Sequence, residues 1–168
     1  GALSAAFLPV FTDYLGKNKK EAQVIASTML TGASILISFL AVIAFIFMNK
    51  IIPVAFPDAS PEMQTDIINV TRLILPSAIL FAISNTLGNI LMSYKHFLAY
   101  SLSPILYNLG IILGISIFAE KMGIYSAGVR VLIGVIMHCA IRVFDIFNTD
   151  YRYQPKLKVH HPSFKKII

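Results

Sequence analysis

The chain has few of the residues that catalysis and charged surfaces require. Of its 168 residues, 13% are charged, eight are acidic, one is a cysteine and none is a tryptophan. A single cysteine excludes an internal disulfide, and soluble domains carry about 25% charged residues. The sequence also lacks a Gly-x-Ser-x-Gly elbow, a phosphate-binding loop, a His-Glu-x-x-His helix and a dinucleotide fingerprint. It therefore predicts no catalytic residue and no cofactor.

Two pairs of potential metal ligands are each explained without a metal. His138 and Cys139 are adjacent, so their side chains leave a helix about 100° apart and cannot form a metal site alone. His160 and His161 lie in a basic stretch that has no cysteine or carboxylate at ligand spacing. We expect the first pair to pack inside a helix bundle and predict no metal site.

Long apolar runs are abundant, at 57% hydrophobic residues and a mean hydropathy of +0.75. Three intervals contain no Asp, Glu, Lys or Arg: 28 residues at 22–49, 22 residues at 73–94 and 24 residues at 96–119. Because about 20 apolar helical residues cross a bilayer, each interval predicts a span. A fourth run, 124–147, is long enough but contains two arginines. The sequence predicts an all-α polytopic membrane bundle with spans near 20–48, 65–94, 97–119 and 124–148.

The two ends of the chain predict incomplete helices. The apolar part of 1–15 covers about 12 residues, or roughly 18 Å at 1.5 Å per residue, which is half a span. A basic loop is predicted at 149–163, and apolar residues resume at 164–168 as the start of another helix. We therefore expect an internal piece of a larger membrane protein, whose remaining helices would cover this one.

The positions of Lys and Arg predict the orientation, because cytoplasmic loops carry the excess of both. One side of the predicted bundle has ten: Lys17, Lys19, Lys20, Lys95, Arg142, Arg152, Lys156, Lys158, Lys165 and Lys166. The opposite side has three: Lys50, Arg72 and Lys121. Loops 16–20, 95–96 and 149–163 are therefore predicted to be cytoplasmic. The net charge of +6 is a topology signal, and no nucleic-acid partner is predicted.

Three glycines are candidate helix-packing residues. Gly110 and Gly114 form a GxxxG step in one predicted span, and Gly88 lies in the span before it. Lipid gives helices no hydrophobic drive to associate, so small residues that allow backbones to approach closely provide the contact. Pro104, in the same span as the GxxxG step, predicts a kink.

Polar residues inside the spans have two interpretations. Asn85 and Asn89 lie four apart, and so share one helix face, while Asn108 lies in the next span. In hydrocarbon such groups must face protein or a water-filled cavity, so they either hold helices together or line a polar substrate path. Arg130 either reaches the outer interface or faces a cavity. These residues, with Ser4 of the first segment, are the candidates for a substrate path.

Three stretches resemble one family of membrane transporters. The segments "GALSAAFLPVFTDYL", "RLILPSAILFAISNTLGNILMSYKHFLAYSLSPILYNLGIILG" and "GIYSAGVRVLIGVIMH" are similar to the second helix, the fourth-to-fifth hairpin and the start of the sixth helix of the MurJ/MviN lipid II flippases. The most specific matches are an Ala-x-Ser-x-Ala-Phe-x-Pro run at 2–9 and a Ser-Pro-x-x-x-Asn-x-Gly-Ile-Ile-x-Gly run at 103–114. The predicted cytoplasmic loops agree with that family's topology.

The resemblance implies part of the N-terminal lobe of a two-lobed flippase in the bacterial cytoplasmic membrane. Such a protein moves the undecaprenyl-linked peptidoglycan precursor to the outer leaflet by alternating access, in cell-wall biogenesis. The family's cavity arginines match no position of this sequence, so no site residue is carried over. Arg130 departs from the family, which usually has an apolar or small residue there.

Four other functions remain open from the sequence. A polysaccharide-unit flippase or a multidrug exporter of the same superfamily would differ in the cavity arginines or an ion-coupling carboxylate of other helices. A non-transporting membrane scaffold would lack the cavity cations. A membrane enzyme would need paired acid and base residues, and no acidic residue lies in the middle of a predicted span.

Overall fold

Five α-helices account for most of the chain. The computed structural model describes residues 2–155 and 157, among which there is no β-strand, and the all-α prediction is confirmed. The helices are α1 (Ala2–Lys17), α2 (Lys19–Ala55), α3 (Pro61–Ser93), α4 (Phe97–Met122) and α5 (Ser126–Ile146). The helix predicted at 164–168 and the pair His160 and His161 lie outside the described residues.

The helix lengths fit a membrane. Three stretches of the described chain are long and apolar enough to cross one: Lys19–Ala55, Pro61–Ser93 and Phe97–Ile146. The last contains both α4 and α5, separated by a 3-10 turn at Gly123–Tyr125. At 1.5 Å per residue, α4 and α5 reach about 39 Å and about 32 Å, so each alone can cross a core of about 30 Å. At the same rise α1 reaches only about 24 Å.

Local signals set the helix starts, and one predicted loop is corrected. The Asn18 side chain accepts hydrogen bonds from the N–H groups of Lys20 and Glu21, which caps α2. At the other end, α2 continues through Pro53 to Ala55, and α3 begins at Pro61 behind the cap of Ser60. The connection between the spans predicted near 20–48 and 65–94 is therefore shorter than predicted, at 56–60. A proline is accepted at the first position of a helix, whose N–H has no partner in any case.

The turn between α3 and α4 has a defined geometry around Lys95. The N–H of His96 donates to the Leu91 carbonyl, and that of Lys95 to the Met92 carbonyl. This pair of bonds is a Schellman ending, in which the residue after the cap adopts a left-handed conformation. Lys95 takes that position with φ of 63°, so α4 folds back beside the bundle.

Side-chain contacts show how the helices are arranged. Gly110 and Gly114 of α4 lie against Gly134 and Arg130 of α5, respectively, so these two helices are antiparallel. Leu73 and Gly88 of α3 lie against Gly128 and Arg142 of α5, so α3 and α5 run in the same direction. The helix α3 contacts α2 on one side and α5 on the other, and is the centre of the bundle.

The buried hydrophobic core lies at the end of the bundle where α2 begins and α3 and α5 end. Its members come from all five helices and the segment after α5: Phe7, Phe11, Ala22, Ile25, Ala26, Met29, Leu87, Ile90, Leu91, Ala99, Ile146 and Tyr151. The outer half of α2 instead exposes large apolar side chains, among them Phe39 at 61% and Ile46 at 62%. A continuous apolar surface of this kind is typical of contact with lipid or with further helices.

Candidate functional site

A buried arginine lies between α3, α4 and α5. Arg142 is one turn from the end of α5, and its residue surface is only 3% exposed. Sequence reasoning had counted it among the cytoplasmic loop cations, and that placement is wrong because its side chain points between helices. The count that orients the chain becomes nine against three, so the predicted orientation is unchanged.

Arg142 joins three helices through its guanidinium group. Nε donates to Ser103 Oγ of α4 at 2.8 Å, and Nη1 donates to the Ser84 carbonyl of α3 at 2.9 Å and to Asn85 Oδ1 at 3.2 Å. The ring of Tyr100 lies 5.1 Å from Cζ, measured to the ring centroid. We call these five residues the Arg142 cluster.

Neutral groups surround the cation of this cluster. Within residues 2–155, Arg142 forms no ion pair with a carboxylate. The compensation comes from the Ser84 and Asn85 oxygens, from the face of Tyr100, and from the carbonyl end of α5, which favours a positive charge. A buried cation held by dipoles retains much of its positive potential, because no opposite charge cancels it.

His138 extends the polar interior by one turn of α5. Its Nδ1 lies 2.8 Å from Ser84 Oγ, and its ring meets Phe81 edge-on at 5.2 Å between centroids. His138 and its neighbour Cys139 are 6% and 8% exposed. Both therefore pack inside the helix bundle.

A groove between α2 and α3 brings two of the predicted path residues together. It encloses about 180 Å³ and is lined by Met29, Ala33, Ile37, Ala82, Asn85, Thr86 and Asn89. Asn85 is exposed, whereas Thr86 is buried and Asn89 is half-buried. We call this feature the polar groove, and Asn85 is the residue that it shares with the Arg142 cluster.

The contact with Arg142 fixes how Asn85 is oriented. A guanidinium group only donates hydrogen bonds, so the amide oxygen of Asn85 must face it. The amide nitrogen then remains for the groove, and the described residues offer it no hydrogen-bond partner. The polar groove therefore presents an N–H donor backed by a buried positive charge, which suits an anionic ligand.

The other predicted path residues lie elsewhere. Asn108 is exposed on α4, and its Nδ2 donates to the Pro104 carbonyl of the same helix at 3.0 Å. Arg130 is half-buried on α5 beside Gly114. Neither lines the polar groove. Ser4 lies in α1, and its side chain is outside the described part of the molecule.

The three candidate packing glycines all lie at close helix contacts. A Cβ at Gly110 would be 2.6 Å from Gly134 Cα, and one at Gly114 would be 2.6 Å from Arg130 Cα. At Gly88 the added atom would be 2.7 Å from Arg142 Nη1. The first two contacts are with backbone, and the third is with the end of a side chain.

Sequence reasoning missed Arg142, Ser84 and Ser103 as members of one cluster. A signal was present, because His138 and Arg142 are four apart and so share one helix face inside an apolar run. Two ionisable residues on the same face of a span indicate a polar interior contact. A helical period relates residues of one helix only, so it could not identify their partners on α3 and α4.

The chain after α5 returns along α2, and we call residues 148–155 the return segment. Polar residues of α2 at four-residue spacing bind it. Lys19 pairs with the Asp150 carboxylate at 2.9 Å, and Gln23 donates to the Asp150 carbonyl at 2.9 Å. Further along α2, Ser27 Oγ lies 3.0 Å from Tyr151 Oη and accepts from the N–H of Gln154, and Thr31 Oγ1 lies 2.8 Å from Tyr153 Oη.

Two pKa values reflect these contacts. The hydrogen bond and charge of Lys19 lower the pKa of the exposed Asp150 carboxyl. Burial raises the pKa of Tyr151 to about 12, because the phenolate would be poorly hydrated there. The return segment is thus fixed on α2 by a surface ion pair and a buried, neutral phenol.

The fold and the polar interior define a multi-pass helical membrane protein with a polar groove between two of its helices. Comparison with known families gives the narrower identity. A family model described as lipid II flippase MurJ matches residues 1–168. The chain belongs to this family, and is accordingly a multi-pass protein of the bacterial inner membrane. The resemblance found in the sequence is confirmed.

Individual relatives agree with the family model. A probable lipid II flippase MurJ of Borreliella burgdorferi is 29% identical over 170 residues, covering 100% of this chain and 33% of that protein. One of Rickettsia prowazekii is 25% identical, covering 100% and 34%. The lipid II flippase MurJ of Thermosipho africanus is 26% identical, covering 91% and 31%. The chain thus spans about a third of the length of these curated relatives.

Proposed function

We propose that this protein moves lipid II, the undecaprenyl-linked peptidoglycan precursor, across the cytoplasmic membrane during cell-wall synthesis. The observation that carries the proposal is the match of the lipid II flippase family model to residues 1–168. We propose alternating access as the mechanism and a transport role without chemical change of the substrate. The partners are then the precursor, the bilayer and any further helices that cover the exposed apolar faces.

The polar groove supports this function physically. A flippase must shield a charged diphosphate head from hydrocarbon, where an unpaired charge is costly. Asn85 presents an amide N–H donor, and Arg142 lies directly behind it. We propose that Asn85, Asn89 and Thr86 line a part of the path taken by the head group. Arg142 positions Asn85 and supplies positive potential without touching the substrate.

The test compares two asparagines in the complete gene product. Asn85→Ala removes the donor from the groove, and Asn108→Ala removes an amide that bonds only to its own helix. The protein is produced in a bacterium depleted of its own flippase, and precursor exposed on the outer face is quantified. Loss of one net hydrogen bond of about 1 kcal/mol predicts about a fivefold lower flipping rate for Asn85→Ala.

The control and the alternative outcomes are defined by the same experiment. Asn108→Ala should flip at the parent rate, and both variants should match the parent in folded yield. If the parent and Asn85→Ala flipped the precursor at equal rates, the polar groove would not be part of the substrate path. A parent protein that fails to restore precursor export would favour a polysaccharide-unit flippase, a multidrug exporter or a scaffold.

A further inference from the structure

A second groove lies on the opposite end of α2 and α3, with Arg72 at its rim. It encloses about 180 Å³ and is lined by Ala41, Val42, Phe45, Arg72, Leu75, Pro76 and Ile79. Arg72 is the sole charged or polar residue in that set. The groove shares no residue with the polar groove or the Arg142 cluster.

The depth of Arg72 places it at the outer surface of the hydrocarbon. From Arg72 to the end of α3 at Ser93 there are 21 residues, a rise of about 32 Å, which matches the thickness of the bilayer core. Ser93 lies at the cytoplasmic end, beside the Lys95 turn. Arg72 therefore lies where outer-leaflet phosphate groups meet the acyl chains.

The guanidinium of Arg72 is held in place but has no anionic partner. Nε and Nη2 both donate to the Phe45 carbonyl, at 3.3 Å and 3.2 Å, and Cζ lies 4.8 Å from the Phe45 ring centroid. Within the described residues Arg72 forms no ion pair, and Nη1 has no protein acceptor. These contacts fix the side chain with one N–H-bearing nitrogen left for a ligand.

Below Arg72 the groove is entirely apolar and open to the side. Leu75, Pro76 and Ile79 follow Arg72 toward the membrane centre over about 10 Å of helix, and Ala41 and Val42 form the facing wall. Val42 is 56% exposed and Phe45 49%. A cation above an apolar channel has the shape and charge of a site for a lipid with a phosphate head.

We propose that this groove binds one anionic glycerophospholipid of the outer leaflet. Its phosphate would accept from Arg72, and part of one acyl chain would lie against Leu75, Pro76 and Val42. Charge complementarity selects an anionic lipid, since a zwitterionic head carries a cation beside its phosphate. The open side would admit a lipid directly from the bilayer, whose glycerophospholipids are the most abundant amphiphiles at this depth. The proposal does not depend on the transport function.

The experiment measures lipid retained by the purified complete gene product, with phosphatidylglycerol as the probe. Arg72→Gln removes the charge and the guanidinium donors but keeps a polar side chain, and should lower retention about tenfold, the effect of losing one charge-assisted hydrogen bond to the phosphate. Lys50→Gln is the matched control, because Lys50 also lies over an aromatic ring, that of Phe47 at 5.8 Å, but does not line the groove. It should retain phosphatidylglycerol like the parent.

A second variant tests the apolar half of the site without changing charge. Ala41→Leu fills the groove and should lower phosphatidylglycerol retention while leaving Arg72 in place. Phosphatidylcholine should be retained less than phosphatidylglycerol by the parent. Equal retention of these two lipids, unchanged retention by both variants, or displacement of phosphatidylglycerol by an equal amount of polyprenyl phosphate would each overturn the proposal.

Discussion

Gly88 of α3 and Arg142 of α5 fit together because the glycine has no side chain. A Cβ at position 88 would lie 2.7 Å from Arg142 Nη1 and 3.0 Å from Cζ. The same Nη1 bonds to the Ser84 carbonyl and to Asn85. The absence of one carbon atom on α3 thus allows a cation on α5 to reach Asn85, which lines the polar groove.

Gly88→Ala should displace the guanidinium and weaken its two bonds to α3. Because the clash is with the end of a flexible side chain, we expect a modest loss of stability of about 1 kcal/mol, the range measured for interhelical bonds in membranes. Thermal unfolding in detergent measures this loss. The flipping rate should fall by more than this loss of stability explains, because Asn85 loses the contact that orients its amide. A variant with the parent's flipping rate would contradict the link between Gly88 and the groove.

Gly110→Ala and Gly114→Leu should be more damaging than Gly88→Ala. Their added atoms would meet the backbones of Gly134 and Arg130, which cannot move without separating α4 from α5. Overpacking of this kind costs about 1–3 kcal/mol, and a leucine has far more volume to place. The measurement is folded yield and precursor accumulation in the complete gene product. A Gly114→Leu protein as abundant and active as the parent would refute close packing of α4 against α5.

Asn85→Asp should leave the folded yield unchanged and lower the flipping rate. The new carboxylate would lie within reach of the Arg142 guanidinium and form an ion pair with it, so the folded yield should be retained. The groove would then present a negative group to an anionic head, and flipping should fall further than in Asn85→Ala. Comparing the two rates at equal protein levels tests this order. The reverse order would show that the groove does not contact an anion.

The stability of the return segment should fall at alkaline pH through Tyr151. Burial raises its pKa to about 12, above the ordinary value near 10. The neutral phenol therefore stabilises the fold fully below pH 10, and this contribution of about 3 kcal/mol is lost as pH rises from 10 to 12. Unfolding midpoints of the parent and Tyr151→Phe should converge over that interval. Tyr153→Phe, at a half-exposed position, is the control and should parallel the parent.

A cysteine at Asp58 should react only with a reagent applied from outside the cell. Asp58 is exposed in the loop 56–60, which the nine-to-three distribution of cations places outside. This position is preferable to Ser60, whose side chain caps α3 by accepting from the N–H of Met63. The native Cys139 is buried and can be replaced by Ala. Labelling from the cytoplasmic side alone would reverse the orientation.

The lengths of the uncharged runs predicted the spans, because each run, as a helix, is long enough to cross a bilayer core. They could not predict the site, because the site depends on which faces meet. Asn85 and Asn108 look alike in the sequence, yet one bonds to Arg142 and the other to its own helix. Arg142 lies near the end of an apolar run, where its four-residue spacing from His138 was the local signal for a buried position. The partners of Gly110 and Gly114 on α5 were likewise undetermined, since a GxxxG step does not specify the helix that approaches it.

The return segment has a mechanical consequence. Because residues 150–154 are bonded to α2 from Lys19 to Thr31, the end of α5 and the start of α2 are tied together at the cytoplasmic end. Sliding of one helix past the other would break the ion pair and the tyrosine contacts together. We therefore expect α2 and α5 to move together as one rigid unit in any conformational change. A hinge for that motion would lie outside the return segment that joins them.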